Sequence, residues 1–285
     1  MLWKGRRQSN NVEDLRKSGG RRAVGFKGGI IGTLILAAIV YFLGGDPLQV
    51  LNMQGDVQNM DVTETPLTEH DEEMGQFVAV VLADTEDVWN KIFASMGKTY
   101  REPKLVLFRG SVSSACGYAQ DATGPFYCQG DEKVYIDLDY LEQLQNKLGA
   151  NGDFATAYII AHEVGHHVQN LLGTISKVNQ YYSSGVSEAE ANKMTVKLEL
   201  QADFLAGVWV HHAQKMKNFL EEGDLDEALN AASAVGDDTI QKKTRGYVTP
   251  DSFQHGTSEQ RKSWLYKGIK SGSLDDGNTF KLNEL

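Results

Sequence analysis

Apolar residues are spaced along this chain in three distinguishable ways. Residues 28–45 form one uninterrupted, uncharged run. A helix of that length just crosses a hydrocarbon core of about 30 Å, so the run predicts a transmembrane span. Short aliphatic and aromatic runs at Lys104–Phe108 and Lys133–Leu138 predict strands, flanking a loop that contains Gly117, Gly124 and Pro125. Elsewhere the period is helical. From Gly75 the spacing of Phe77 through Phe93 predicts a helix with a break or cap around Asp84–Asp87. A helix is predicted from Asp153, with Gly173 as its stop. Ser187 and Glu190 spell a capping box for a long helix running through Leu200 and Trp209 to about Met216. Asp224 with Glu227, and Thr257 with Gln260, mark two further starts of the same kind. The expected fold is α+β, predominantly helical with a small sheet, preceded by one transmembrane helix.

Charge divides the chain further. Eight of its 28 basic residues precede Gly28, against two of its 38 acidic residues, which leaves 20 basic and 36 acidic residues and a net charge of −16 beyond that point. Residues 1–27 therefore read as a basic cytoplasmic N-terminus, 28–45 as the span, 46–74 as an acidic tether, and 75–285 as an extracytoplasmic domain. No small-x-small cleavage pattern follows the run, so the anchor is expected to remain in a single-pass protein of the cell membrane. An acidic body of this kind repels nucleic acid. Cys116 and Cys128 are closely spaced, and a disulfide between them suits an oxidising compartment. Two thiolates alone cannot complete a tetrahedral zinc shell.

The candidate chemistry lies on the two long helices. His162 and His166 are four residues apart, which places both imidazoles on one helix face, where they can hold a single zinc ion. Glu163 projects from the edge of that face and is the expected base toward a water activated there. A third ligand has to come from elsewhere; Glu199 on the second long helix is the candidate, with Asp203 one turn on as hydrogen-bond partner of His162. A histidine in the metzincin position is excluded, because Gln169 and Leu172 stand where its Gly and His would be. Gly165, inside the motif, costs about 1 kcal/mol of helix propensity and predicts a close approach at that point. His255, beside Gly256 and a helix start, is a candidate for stabilising the oxyanion or else a structural cap contact, with Tyr247 a weaker candidate. His167 is expected to be packed and hydrogen-bonded, and His211 and His212 to serve away from the metal.

The run AYIIAHEVGHHVQNLLG at 157–173, followed by LELQADFLAGVW at 198–209, resembles the bacterial neutral zinc metallopeptidase family. RKSGGRR at 16–22, SACG at 114–117, GPFYC at 124–128, VYID at 134–137 and DSFQHG at 251–256 extend the resemblance over nearly the whole chain. It implies a single-pass membrane protein with a zincin-like domain, His162 and His166 as ligands, and Glu163 as base. Phe204 and Asn278 stand where the family has cysteines, so a second disulfide is absent. The expected activity is endopeptidase action on a peptide or protein substrate that pairs with an edge strand near Val134–Leu138. The alternative is a non-catalytic, zinc-stabilised anchored domain that binds a partner in the cleft. The intact Glu163 argues against it, since a structural zinc has no use for a base. The tether or the tail 271–285 covering the cleft is a third arrangement compatible with the sequence.

Overall fold

The computed structural model describes residues 1–16, 66–119, 124–148 and 152–281. The protein is mostly helical with a small sheet. In chain order the elements are β1 (Val12–Asp14), α1 (Glu69–Ser95), β2 (Lys104–Phe108), β3 (Val112–Ser114), β4 (Gly117–Ala119), β5 (Phe126–Cys128) and β6 (Lys133–Asp137). There follow α2 (Leu138–Leu148), α3 (Asp153–Leu171), α4 (Thr174–Tyr182), α5 (Glu188–Lys217), α6 (Asp224–Ala234), α7 (Asp237–Arg245) and α8 (Ser258–Ser271). Among the described residues no helix is long and apolar enough to cross a membrane. The span expected at 28–45 lies outside them.

The body begins at Met1 rather than at Gly75. β1 pairs in parallel with β2, Trp3 meets Phe77 edge-on at 5.4 Å, and Met1 belongs to the main core. The Met1 ammonium lies 2.8 Å from Asp153 and 3.2 Å from Asp224. The basic residues of this segment, expected to flank a membrane, are paired with acids of α1 and the strands. Lys4 reaches Glu73, Arg6 reaches Asp84 and Arg7 reaches Glu86 and Asp87, while Arg16 pairs with Asp14 and donates to the Asp71 carbonyl. Helix α1 likewise starts inside the expected tether, at a capping box made by Thr68 and Asp71.

The same ion pairs explain why α1 is unbroken where a break was expected at Asp84–Asp87. Asp84, Thr85 and Glu86 are buried mid-helix. Asp84 accepts from Lys217 and pairs with Arg6, each at 2.6 Å, and Glu86 accepts from Arg7, Ser9 and Asn11. Buried carboxylates so compensated leave the helix intact; unpaired, they would have to reach water.

The main sheet runs β1-β2-β6-β5, with β5 antiparallel to β6 and the others parallel. Lys133–Tyr135 therefore have strands on both sides, and this stretch of β6 is not the edge expected for substrate. β3 and β4 form a separate hairpin, tied to β5 by the expected disulfide Cys116–Cys128.

Helix α3 is central, touching α1, α5, α6, β5 and β6. Its entry is capped from a distance: Glu227 of α6 accepts from the Phe154 amide at 3.0 Å, with Gly152 passing close over its carboxylate at φ 105°. Glu227 is thus unavailable for the capping box expected with Asp224, and α6 starts from Gly223 without a side-chain cap. The boxes at Ser187–Glu190 and Thr257–Gln260 both form. α5 and α8 are pressed together at Gly207 and Gly268, where a Cβ on either would run into the other helix's backbone. Phe204 lays its ring against Gly277, next to Asn278.

Candidate metal centre

Two crossing helices assemble the centre. α3 carries His162, Glu163 and His166 and is buried on most of its faces from Phe154 to Val164. α5 crosses it at Gly165, where a Cβ would lie 3.0 Å from the Ala202 carbonyl oxygen, the close approach that the mid-motif glycine predicts. That crossing sets Glu199 and Asp203 of α5 against the two histidines. Glu199 lies 3.2 Å from His162 Nε2 through one carboxylate oxygen and 3.3 Å from His166 Nε2 through the other. One donor atom from each of the three residues lies within 4.8 Å of those of the other two, a spacing that could hold one metal ion.

Both imidazoles are fixed from behind, so their Nε2 atoms face Glu199. His162 Nδ1 donates to Asp203 Oδ1 at 2.8 Å. His166 Nδ1 donates to the Gln169 side-chain oxygen at 2.9 Å, and the Gln169 amide nitrogen donates in turn to the Leu198 carbonyl and to Gln201. Gln201 donates to the Gly277 carbonyl, linking the C-terminal turn Leu274–Gly277 to the site. One histidine is thus backed by a carboxylate and the other by a neutral amide.

Electrostatics match a cation site. Burial opposes charge on His162, but Asp203 and Glu199 outweigh it and hold its pKa up at about 10. His166 is raised by Glu199 against the same burial. Burial alone would raise Glu199, yet the two histidines hold it well below the ordinary carboxylate range. Glu163 is buried beside the ligands, and that burial raises its pKa while the histidines oppose the rise. Two imidazole nitrogens and one carboxylate form a donor set that suits zinc and leaves a coordination position open.

The remaining candidates separate clearly. His255 is 49% exposed, and its Nδ1 lies 3.1 Å from Asp237 Oδ1. Asp237 Oδ2 also accepts the amides of Gln254, His255 and Gly256, so one carboxylate shapes the whole loop. Gly256, with φ 90°, packs beside Val196 and Leu200, the turn of α5 that holds Glu199. Tyr247 is 64% exposed, between α7 and the turn Pro250–Ser252. His167 is buried, bonded to Tyr127 and to the Arg101 carbonyl, and burial lowers its pKa. His211 and His212 bond the carbonyls of Ile269 and Gly272 at the end of α8.

Sequence reasoning missed four contributors to this region: Tyr158, Gln169, Asp237 and Arg261. Gln169 and Tyr158 carried a local signal, being three residues from His166 and four from His162 on the same helix.

A family model described as "Putative neutral zinc metallopeptidase" matches residues 1–280. The chain is 47% identical over 288 aligned positions to the "Uncharacterized protein YpfJ" of Escherichia coli (strain K12), covering 98% of this chain and 99% of that protein. It is 37% identical over 220 positions to the "Uncharacterized protein Rv2575" of Mycobacterium tuberculosis (strain ATCC 25618 / H37Rv), covering 74% and 73% of the two chains. No solved structure matches the chain.

Proposed function

The chain belongs to the zinc metallopeptidase family whose model spans it, and from that premise we propose that it is a zinc-dependent endopeptidase with His162, His166 and Glu199 as ligands. The observation that carries this reading is the convergence of those three side chains with the buried Glu163 beside them. A zinc ion held by these three residues would supply Lewis acidity, enough to bring the pKa of a bound water to about 7. Glu163 takes the proton from the attacking water and delivers it to the leaving amine. Its raised pKa, caused by burial, suits a group that must both accept and release a proton. His255, oriented by Asp237 with half of its side chain exposed, donates to the developing oxyanion. Membrane attachment through 28–45 belongs to the same reading, supported by the absence of charge in that run. The Cys116–Cys128 disulfide supports an oxidising compartment.

The test uses the full chain, because residues 1–16 are part of the body. Bound zinc is quantified, and cleavage of a peptide library is compared between the wild type and Glu163→Gln. The expected result is one zinc per chain in both and cleavage in the wild type only. Stoichiometric zinc without cleavage in either protein would leave a zinc-stabilised binding domain as the better reading.

A further inference from the structure

Arg261 is a cation buried beside a centre built to attract a cation, and the activity proposed above gives it no task. It is 3% exposed and sits in the first turn of α8, downstream of the Thr257–Gln260 capping box. The tight Gly207–Gly268 contact fixes that helix on α5 and brings the guanidinium beneath Asp203. Removing a guanidinium from water costs several kcal/mol unless its donors are matched, and here they are matched closely. Nε donates to Asp203 Oδ2 and Nη2 to Asp203 Oδ1, both at 2.9 Å, while Nη1 reaches the Val235 carbonyl at 3.3 Å.

We propose that Arg261 is a positioning residue for the metal ligand His162, acting through Asp203, with the Tyr158 hydroxyl as its auxiliary. This deepens the zinc reading and rests on it. Asp203 Oδ1 accepts three donors: His162 Nδ1 at 2.8 Å, Tyr158 at 2.6 Å and Arg261 Nη2. The planar two-point grip of the guanidinium stops the carboxylate from rotating about its own bond, so one lone pair stays aimed at His162. His162 would then keep its hydrogen on Nδ1 and offer a metal ion the Nε2 that faces Glu199. Arg261 Nη2 is itself 3.4 Å from His162 Nδ1. Both atoms carry hydrogens in that tautomer, so the direct contact gains nothing and the carboxylate between them mediates.

The test compares full-length wild type with Arg261→Lys, Arg261→Met and Tyr158→Phe. Zinc affinity is measured by chelator competition, the absorption bands are recorded with Co(II) in place of zinc, and thermal melting is followed in parallel. Zinc binding is expected to weaken by about 10- to 100-fold in Arg261→Met, the range typical of lost support behind a ligand. Arg261→Lys keeps the charge but not the fork, so its affinity should be restored only in part and its Co(II) bands should shift. Tyr158→Phe should weaken zinc severalfold. A purely structural salt bridge would give lower melting temperatures with wild-type zinc affinity and unchanged Co(II) bands, and that result overturns the proposal. Should Arg261→Met fail to fold, wild-type affinity and spectra in Arg261→Lys and Tyr158→Phe overturn it equally. A wild-type chain that binds no zinc overturns the metallopeptidase reading together with this one, whereas unchanged variants of a zinc-binding wild type overturn this one alone.

Discussion

Gly165→Ala sets two opposed effects against each other at the point where the ligand helices cross. In an exposed helix interior the change would stabilise by about 1 kcal/mol through propensity. At this crossing the new methyl group would stand 3.0 Å from the Ala202 oxygen and 3.3 Å from its Cα, where ordinary contact begins at 3.4 Å. Both obstacles are backbone, so no side chain can swing aside, and α5 must recede by a few tenths of an ångström. Overpacking of this kind costs about 1–3 kcal/mol, so stability is expected to fall between no change and roughly 2 kcal/mol. The site is affected more than the fold. Ala202 precedes Asp203 and lies three residues from Glu199, while a metal shell tolerates displacements of only about 0.5 Å. The expected outcome is a melting temperature lowered by a few degrees and zinc affinity lowered by about tenfold or more. Thermal melting of the full chain and chelator competition measure the two effects separately. A variant that melts higher by the full propensity gain and binds zinc as the wild type does would refute a tight crossing at Gly165.

Asp137 provides a second prediction. Its Oδ2 is buried without a partner among the described residues, and burial raises its pKa to about 6 from an ordinary 3.8. A raised carboxyl stabilises the fold below its unfolded value and loses that contribution as pH rises through the folded one. Asp137→Asn should therefore match the wild type near pH 4 and gain on it up to about pH 6, by at most about 3 kcal/mol, with a flat difference beyond. Denaturant titrations at pH 4, 5, 6 and 8 would show this, and a difference independent of pH would contradict it. Cys116→Ser, or reduction of the disulfide, should cost about 3 kcal/mol by the chain-entropy estimate for so short a loop. Melting with and without reductant measures it, and a shift below 1 °C would show that the closed loop contributes little.

What could be read from the sequence is what depends on neighbours within a turn or two. The His162–His166 and Glu199–Asp203 spacings, and the boxes at Ser187 and Thr257, follow from helical geometry alone. The same local spelling misled at Asp224 and Glu227, because Glu227 finds a better use on the Phe154 amide of another helix. The acidic stretch of α1 looked like a break because its basic partners, Arg6, Arg7 and Lys217, are far away in the chain. Arg261 and Asp237 were missed for the same reason: a bond to a partner distant in the chain leaves no periodic trace at either end.

The contact of Arg16 with the Asp71 carbonyl bears on how this protein can meet a lipid bilayer. Arg16 bonds to Asp71 in the first turn of α1, which Thr68 caps, and its guanidinium also lies against Gly75. Arg16 and the start of α1 are therefore neighbours, and β1 is hydrogen-bonded into the sheet that supports the metal helix. Two pieces of chain that share a sheet share a compartment. A single passage of 28–45 through a bilayer would put residues 1–16 and the rest of that sheet on opposite faces. Any arrangement of this protein at a bilayer has to keep residues 1–16 together with the body that carries Glu163.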